Sequence, residues 1–355
     1  MFVAGVIFVV ITLLRIRTWL ANAVSPSMKH SFAVGIGLFL AFIGLYLTGI
    51  VTSGAEGMRV ADLRVGSTES LGRPPVPVKI GDFRDSKVLL AIGGFILTAA
   101  LLARRVRGAL LIGIVVTALA GYIAGVGARP QAVAALPFTG EYSLEPIALK
   151  LDIIGVLQLS FLPILLTLFL MSFLDTLGTL VGVGAAAGML DERGNLPEPE
   201  KPMMVDAVAC MFSATVGSST SGAYIESAAG VKEGAKTGLA AVVTGLLFAG
   251  TLFFIPLVQP LQTLGYAYGP ALIAVGVLMM SSVRQIEWDD MTEAVPAFIT
   301  LAMIAFTYNI ANGLTAGLIA YPALKVLAGR WHEVTAGSAV LGLMCLVYYV
   351  FGLPH

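Results

Sequence analysis

Gly217-Ser-Ser-Thr-Ser-Gly-Ala-Tyr-Ile-Glu-Ser-Ala-Ala-Gly-Val-Lys-Glu-Gly234 sets one carboxylate, Glu226, in a short segment of small and apolar residues behind a Ser/Thr/Gly run. Glycine loses backbone entropy in a helix, and Ser and Thr bond to nearby backbone instead, so Gly217–Gly222 reads as a helix break. A helix starting near Ser221 or Gly222 would present free N–H groups, and the positive end of its dipole, to whatever lies before it. Glu226 would then lie about one turn in.

The flanks decide what such a carboxylate means. The chain has 355 residues, 57% hydrophobic and only 12% charged, where soluble domains carry roughly 25% charged residues. Mean hydropathy is +0.91. This is the composition of an all-α polytopic membrane protein, and 40 glycines suit closely approaching transmembrane helices. At membrane depth an ionisable residue costs about 2.5–3.5 kcal/mol on insertion scales, which makes Glu226 a candidate functional group.

Composition also excludes classes. Zero net charge gives no reason to expect a nucleic-acid partner. Cys210 and Cys345 both lie in apolar stretches, no Cys-x-x-Cys occurs and there are three histidines, so neither a metal site nor a disulfide framework is expected, and no cofactor. No P-loop, nucleophile elbow or HExxH motif occurs, which argues against an ATP-driven pump and leaves an intramembrane enzyme the least favoured class.

Spans of about 20 residues are expected near Met1–Leu14, Phe32–Val51, Val88–Ala103, Ala109–Val126 and Leu157–Val183. Met203–Val216, the short Gly222–Val231, Leu239–Val258, Tyr268–Val283, Ala294–Ile310, Leu314–Leu327 and Ala336–Phe351 follow. Thr52–Lys87 reads as an external loop and Gly188–Lys201 as a turn-rich connection. Arg15, Arg17, Lys29 and His30, then Arg104, Arg105 and Arg107, and, if Gly222–Val231 is counted as a crossing, Arg284, Lys325 and Arg330, fall on one side, which positive-inside counting assigns to the cytoplasm. Trp19, Trp288 and Trp331 sit at the same ends, as interfacial tryptophans do. Ala33-Val-Gly-Ile-Gly-Leu-Phe resembles Ile273-Ala-Val-Gly-Val-Leu-Met, and the two copies face opposite ways, the pattern of an inverted repeat.

A second carboxylate, Asp175, shares a helix face with Ser172, Thr176, Thr179 and Gly182 at three- and four-residue spacing. A small polar face inside an apolar helix suits a cavity wall. Asp206, a few residues after Pro202, reads as an interfacial or capping residue. Asn309 and Asn312 read as caps or cross-helix partners, and Tyr224 either stacks on a planar ligand or packs at an interface.

Phe173-Leu-Asp-Thr-Leu-Gly-Thr-Leu, Gly188-Met-Leu-Asp-Glu-Arg-Gly-Asn-Leu-Pro and Tyr224-Ile-Glu-Ser-Ala-Ala-Gly resemble the adenine/guanine/hypoxanthine permease branch of the nucleobase:cation symporter (xanthine/uracil permease) family. Thr237-Gly-Leu-Ala-Ala-Val-Val-Thr-Gly extends the resemblance, as do Gly35-Ile-Gly-Leu-Phe and Leu101-Leu-Ala-Arg-Arg-Val-Arg-Gly-Ala. The resemblance implies an inverted seven-plus-seven transmembrane repeat with core and gate domains and a half-helix at the site. Met1–Leu14 matches the family's fourth segment, so the first three segments are expected to be missing by N-terminal truncation. The implied division is a core segment at 1–31, a first-repeat gate at 32–126 with its loop 52–87, and a connection at 127–156. A second-repeat core at 157–258 with its half-helix 222–231, and a gate plus C-terminal segment at 259–355, complete it.

The resemblance further implies a purine nucleobase importer in the plasma membrane, the inner membrane in a bacterium, working by proton symport with alternating access. Asp175 and Glu226 fall on the family's substrate-site carboxylates and would also carry the coupling proton, with sodium the other option. Ser219, Thr220, Ser221, Gly222 and Thr179 complete the expected binding set. The expected partners are a purine, the coupling ion and the lipid bilayer, with a homodimer left open. Transport of uracil, xanthine or an inorganic anion on the same fold, or a non-transporting truncated membrane protein, are the alternatives.

Overall fold

The computed structural model describes residues 1–57, 76–126, 132–158, 161–192, 195–219, 221–224, 226–258 and 263–351. The chain opens with α1 (Phe2–Leu13), α2 (Ile16–Asn22) and α3 (Pro26–Leu47), followed by β1 (Val51–Ser53) and β2 (Val78–Ile80). Then come α4 (Ser86–Ala103), α5 (Ala109–Ile123), α6 (Ile153–Val156), α7 (Leu162–Ala187), α8 (Glu200–Thr215) and α9 (Ser227–Lys232). The chain continues through α10 (Gly238–Thr251), α11 (Ile255–Val258), α12 (Gly265–Met279), α13 (Met291–Phe306), α14 (Ile310–Leu327) and α15 (Ala336–Phe351).

This is an all-α polytopic membrane protein. Among the described residues, five helical stretches are each long and apolar enough to cross a bilayer: Pro26–Leu47, Ser86–Ala103, Gly238–Leu257, Gly265–Gln285 and Ile310–Leu327. Phe2–Leu13 and Ile16–Asn22 would make a sixth, bent by 76°. The expected external loop at 52–87 contains a small antiparallel hairpin, Val51 pairing with Ile80 and Ser53 with Val78.

Contacts group the chain into two units, one of residues 1–39, 137–240 and 276–355, the other of 40–136 and 241–275. This grouping differs from the expected core and gate division: 276–355 groups with 1–39 and 137–240, because α14 packs on α7 and α15 packs on both α7 and α2. In the first unit, Phe8, Met28, Phe32, Phe173, Leu174, Leu177, Leu314 and Cys345 form a buried core. Cys210 and Cys345 are both buried and free, in keeping with packing roles.

In the second unit small residues carry the helix contacts. Gly94 of α4 lies against Thr117 of α5, and Gly113 of α5 against Thr98 of α4. Each threonine donates to the glycine carbonyl one turn back on its own helix, at 2.8 Å for Thr98 and 2.7 Å for Thr117. The hydroxyls are thereby satisfied inside apolar surroundings.

Several charges counted as flanking residues turn out to be internal. Arg17 is fully buried, and Lys29 and Lys325 nearly so. Lys29 donates to Asn195 Oδ1, and Lys325 pairs with Glu293 and Glu333 at 2.9 and 2.8 Å. Buried charges are tolerated only when paired. The positive-inside argument therefore rests on Arg15, Arg104, Arg105 and Arg107, which are exposed.

Candidate functional site

The break after α8 is built by its glycine. Val216 closes the helix and Gly217 follows at φ +81°. The Gly217 N–H bonds to Ala214 O at 3.1 Å, and the Ser218 N–H reaches back to Ser213 O at 2.9 Å. That pair of bonds is a Schellman stop, which needs the left-handed conformation that glycine adopts at no steric cost. Residues 218, 219 and 221–224 then run without helix or strand.

The half-helix itself starts later than expected. α9 begins at Ser227, not at Gly222, so Ser221 and Gly222 belong to the irregular run and Glu226 precedes the first turn. The irregular run passes beside α8: a Cβ added at Gly222 would sit in van der Waals contact with Asp206 Oδ1, at 3.4 Å.

A cavity of ≈ 180 Å³ forms where this run meets α7 and α8, with Asp175, Thr176, Asp206, Ser221, Gly222 and Tyr224 among its walls. Asp175 and Tyr224 are exposed there, whereas Asp206 and Thr176 are buried. Of the expected site residues, the cavity brings together Asp175, Ser221 and Gly222. Glu226 is exposed but is not in its wall, Ser219 is exposed in the irregular run, and Thr179 is buried within α7. Thr220 lies outside the described residues.

Two residues essential to this geometry were not expected in the site. Asp206, read as an interfacial or capping group, instead accepts from Thr176 Oγ1 at 2.8 Å and pairs with Arg17 at 3.2 Å. The Arg17 guanidinium also donates to Met203 O at 2.9 Å and lies 4.7 Å from the centre of the Phe8 ring. Arg17 thus offsets Asp206 and leaves Asp175 as the cavity carboxylate without a basic partner among the described residues. The arrangement offers one acidic acceptor, a stretch of irregular backbone and an aromatic ring, a set suited to a small planar molecule with both donors and acceptors. No group of three or more potential metal ligands occurs among the described residues.

Residues 1–315 match the Permease family of xanthine/uracil permeases. The chain belongs to the xanthine/uracil permease family. It is 37% identical over 338 residues to the adenine permease AdeQ of Escherichia coli, covering 94% of this chain and 69% of that protein. The guanine/hypoxanthine permease PbuG of Bacillus subtilis is 35% identical over 353 residues, covering 99% of this chain and 74% of PbuG. A second Escherichia coli adenine permease, AdeP, is 34% identical over 345 residues, 97% of this chain and 72% of AdeP. Membership fits the apolar helices described above and makes this a multi-pass membrane protein of a transport family.

Proposed function

We propose that this permease is a secondary transporter that imports purine nucleobases by proton symport. The observation that carries the reading is Asp175, an exposed carboxylate in a cavity whose other carboxylate is already held by Arg17. A carboxylate accepts N–H donors, and a purine edge supplies them. Backbone N–H groups around Ser221 and Gly222 receive a ring or exocyclic acceptor, and Tyr224 offers its face to the ring. The names of the relatives, adenine and guanine/hypoxanthine permeases, support adenine, guanine and hypoxanthine over uracil or xanthine. An inorganic anion is disfavoured, because a carboxylate repels it.

In the proposed cycle Asp175 or Glu226 takes up the coupling proton, and the core helices α7–α9 move against the gate to give alternating access. The test is uptake of labelled adenine, guanine and hypoxanthine into proteoliposomes under an imposed pH gradient, with and without sodium. Uptake driven by the pH gradient, competed by purines and abolished by Asp175→Asn, is the expected result. Uptake that ignores the pH gradient and follows sodium would replace proton with sodium coupling. Full uptake by both Asp175→Asn and Glu226→Gln would remove the site assignment.

A further inference from the structure

Asp175 and Ser172 line a second cavity, of ≈ 300 Å³, whose other walls include Phe39, Tyr308, Asn309 and Ile310. Its chemistry differs from that of the first. Phe39 and Tyr308 meet edge to face, ring centres 5.4 Å apart at 67°. Tyr308 is nevertheless 47% exposed. Asn309 caps α14, its Oδ1 accepting the Asn312 N–H at 3.2 Å, which leaves the amide NH₂ as the donor end of that side chain.

The backbone at Tyr308 is the informative part. Thr307 caps α13 and Tyr308 follows at φ +55°. A left-handed residue just after a helix cap is ordinarily glycine, sometimes asparagine, because a Cβ is disfavoured there. Here the position holds a bulky aromatic ring that is half exposed, in a cavity shared with the site carboxylate. Side chains kept against the local backbone preference concentrate at ligand clamps and switch regions.

We propose that Tyr308 and Phe39 form an aromatic second subsite for the transported base, with Asp175 as the acceptor common to both cavities and the Asn309 amide as donor. This rests on the nucleobase reading above. A planar heterocycle fits the set: its face lies on an aromatic side chain, an N–H meets Asp175, and a carbonyl or ring nitrogen meets Asn309. Tyr308 is then a specificity-determining residue that favours flat, aromatic substrates over compact ions.

The experiment exploits the conflict between backbone and ring. Tyr308→Gly supplies the residue the turn prefers and removes the aromatic face, while Tyr308→Phe keeps the face and removes the hydroxyl. Equilibrium binding of labelled adenine and hypoxanthine to the purified protein is measured alongside thermal stability in detergent. Base–aromatic stacking predicts a loss of affinity on the order of 10-fold or more for Tyr308→Gly, with Tm unchanged or raised, and near-complete retention in Tyr308→Phe. Wild-type affinity in Tyr308→Gly, equal losses in both variants, or a lowered Tm in Tyr308→Gly would each overturn the subsite. A wild-type protein that binds neither base would instead overturn the nucleobase reading. Binding lost in Asp175→Asn but intact in Tyr308→Gly would leave that reading standing and remove only the subsite.

Discussion

Arg17 of α2 and Asp206 of α8 form a 3.2 Å salt bridge in which the guanidinium is fully buried and the carboxylate is 8% exposed. Removing one partner of such a pair strands the other charge away from water and costs about 3–5 kcal/mol. Arg17→Ala and Asp206→Asn are therefore each expected to lower Tm in detergent sharply. The pair Arg17→Met with Asp206→Leu removes both charges and should recover most of that loss, since apolar replacement of a buried pair is often neutral. Uptake should stay low in the double variant, because Thr176 loses its acceptor and the cavity loses a polar wall.

Asp175 is exposed in its cavity, so Asp175→Asn should change stability by no more than about 0.5 kcal/mol. Losing a charge-assisted hydrogen bond to substrate costs about 1.5–3 kcal/mol, or roughly 10- to 150-fold in affinity. Glu226 lies outside the cavity wall, so Glu226→Gln should weaken binding less than Asp175→Asn. Binding isotherms on the two purified variants separate these outcomes, with Tm as the control for folding.

The sequence made some of this legible and hid the rest for identifiable reasons. The apolar runs opening at Ala109 and Ala336 predict helix starts there, and α5 and α15 begin at those residues, because long apolar runs carry their own ends. The break at Gly217 was equally visible. The start of α9 was not: Ser219, Ser221, Gly222 and Ser227 are all plausible caps, and local sequence does not choose among them. The bend between α1 and α2 was hidden too, since its left-handed residue is Arg15, not a glycine or proline. Arg17 and Asp206 are 189 residues apart, so no local spacing could mark Asp206 as a partnered charge in the site.

Acid should unpick the ion network at the α13–α14 end in a defined window. Asp290 accepts from the Thr292 hydroxyl and from Arg330, at 2.7 Å each, and these bonds hold its carboxyl well below the ordinary 3.8. Glu333 is lowered from 4.5 to about 2, first by Arg330, whose Nε and Nη2 donate to it at 2.6 and 2.8 Å, and then by Lys325. Both groups titrate lower in the folded protein than in the unfolded chain, so the unfolded chain takes up protons first as pH falls. The contribution of Glu333 is complete above about pH 4.5, shrinks below it and is nearly gone near pH 2, whereas that of Asp290, held lower still, persists to more acidic pH. Glu333→Gln should accordingly have a lower Tm than the wild-type protein at pH 6, and the two curves should converge as pH drops toward 3. A constant gap across that range would show that the network is not held by these charges.

Gly313 of α14 lies directly against the backbone of α13. A Cβ there would lie 2.6 Å from the backbone N of Ile304 and 2.6 Å from Thr300 O, both of α13. Backbone atoms cannot swing aside as a side chain would, so Gly313→Ala must push the helices apart. Overpacking of this kind costs about 1–3 kcal/mol, against roughly 0.5–1 kcal/mol gained by replacing a helical glycine with alanine, so the net effect is destabilising. Gly245, mid-way along α10, has no neighbour within 4 Å among the described residues to obstruct a Cβ. Gly245→Ala should therefore keep the helix gain and raise Tm slightly. Opposite signs for the two substitutions, measured by thermal unfolding in one detergent, would establish that α13 and α14 are held by backbone proximity at Gly313; a neutral Gly313→Ala would mean the helices pack further apart than 2.6 Å implies.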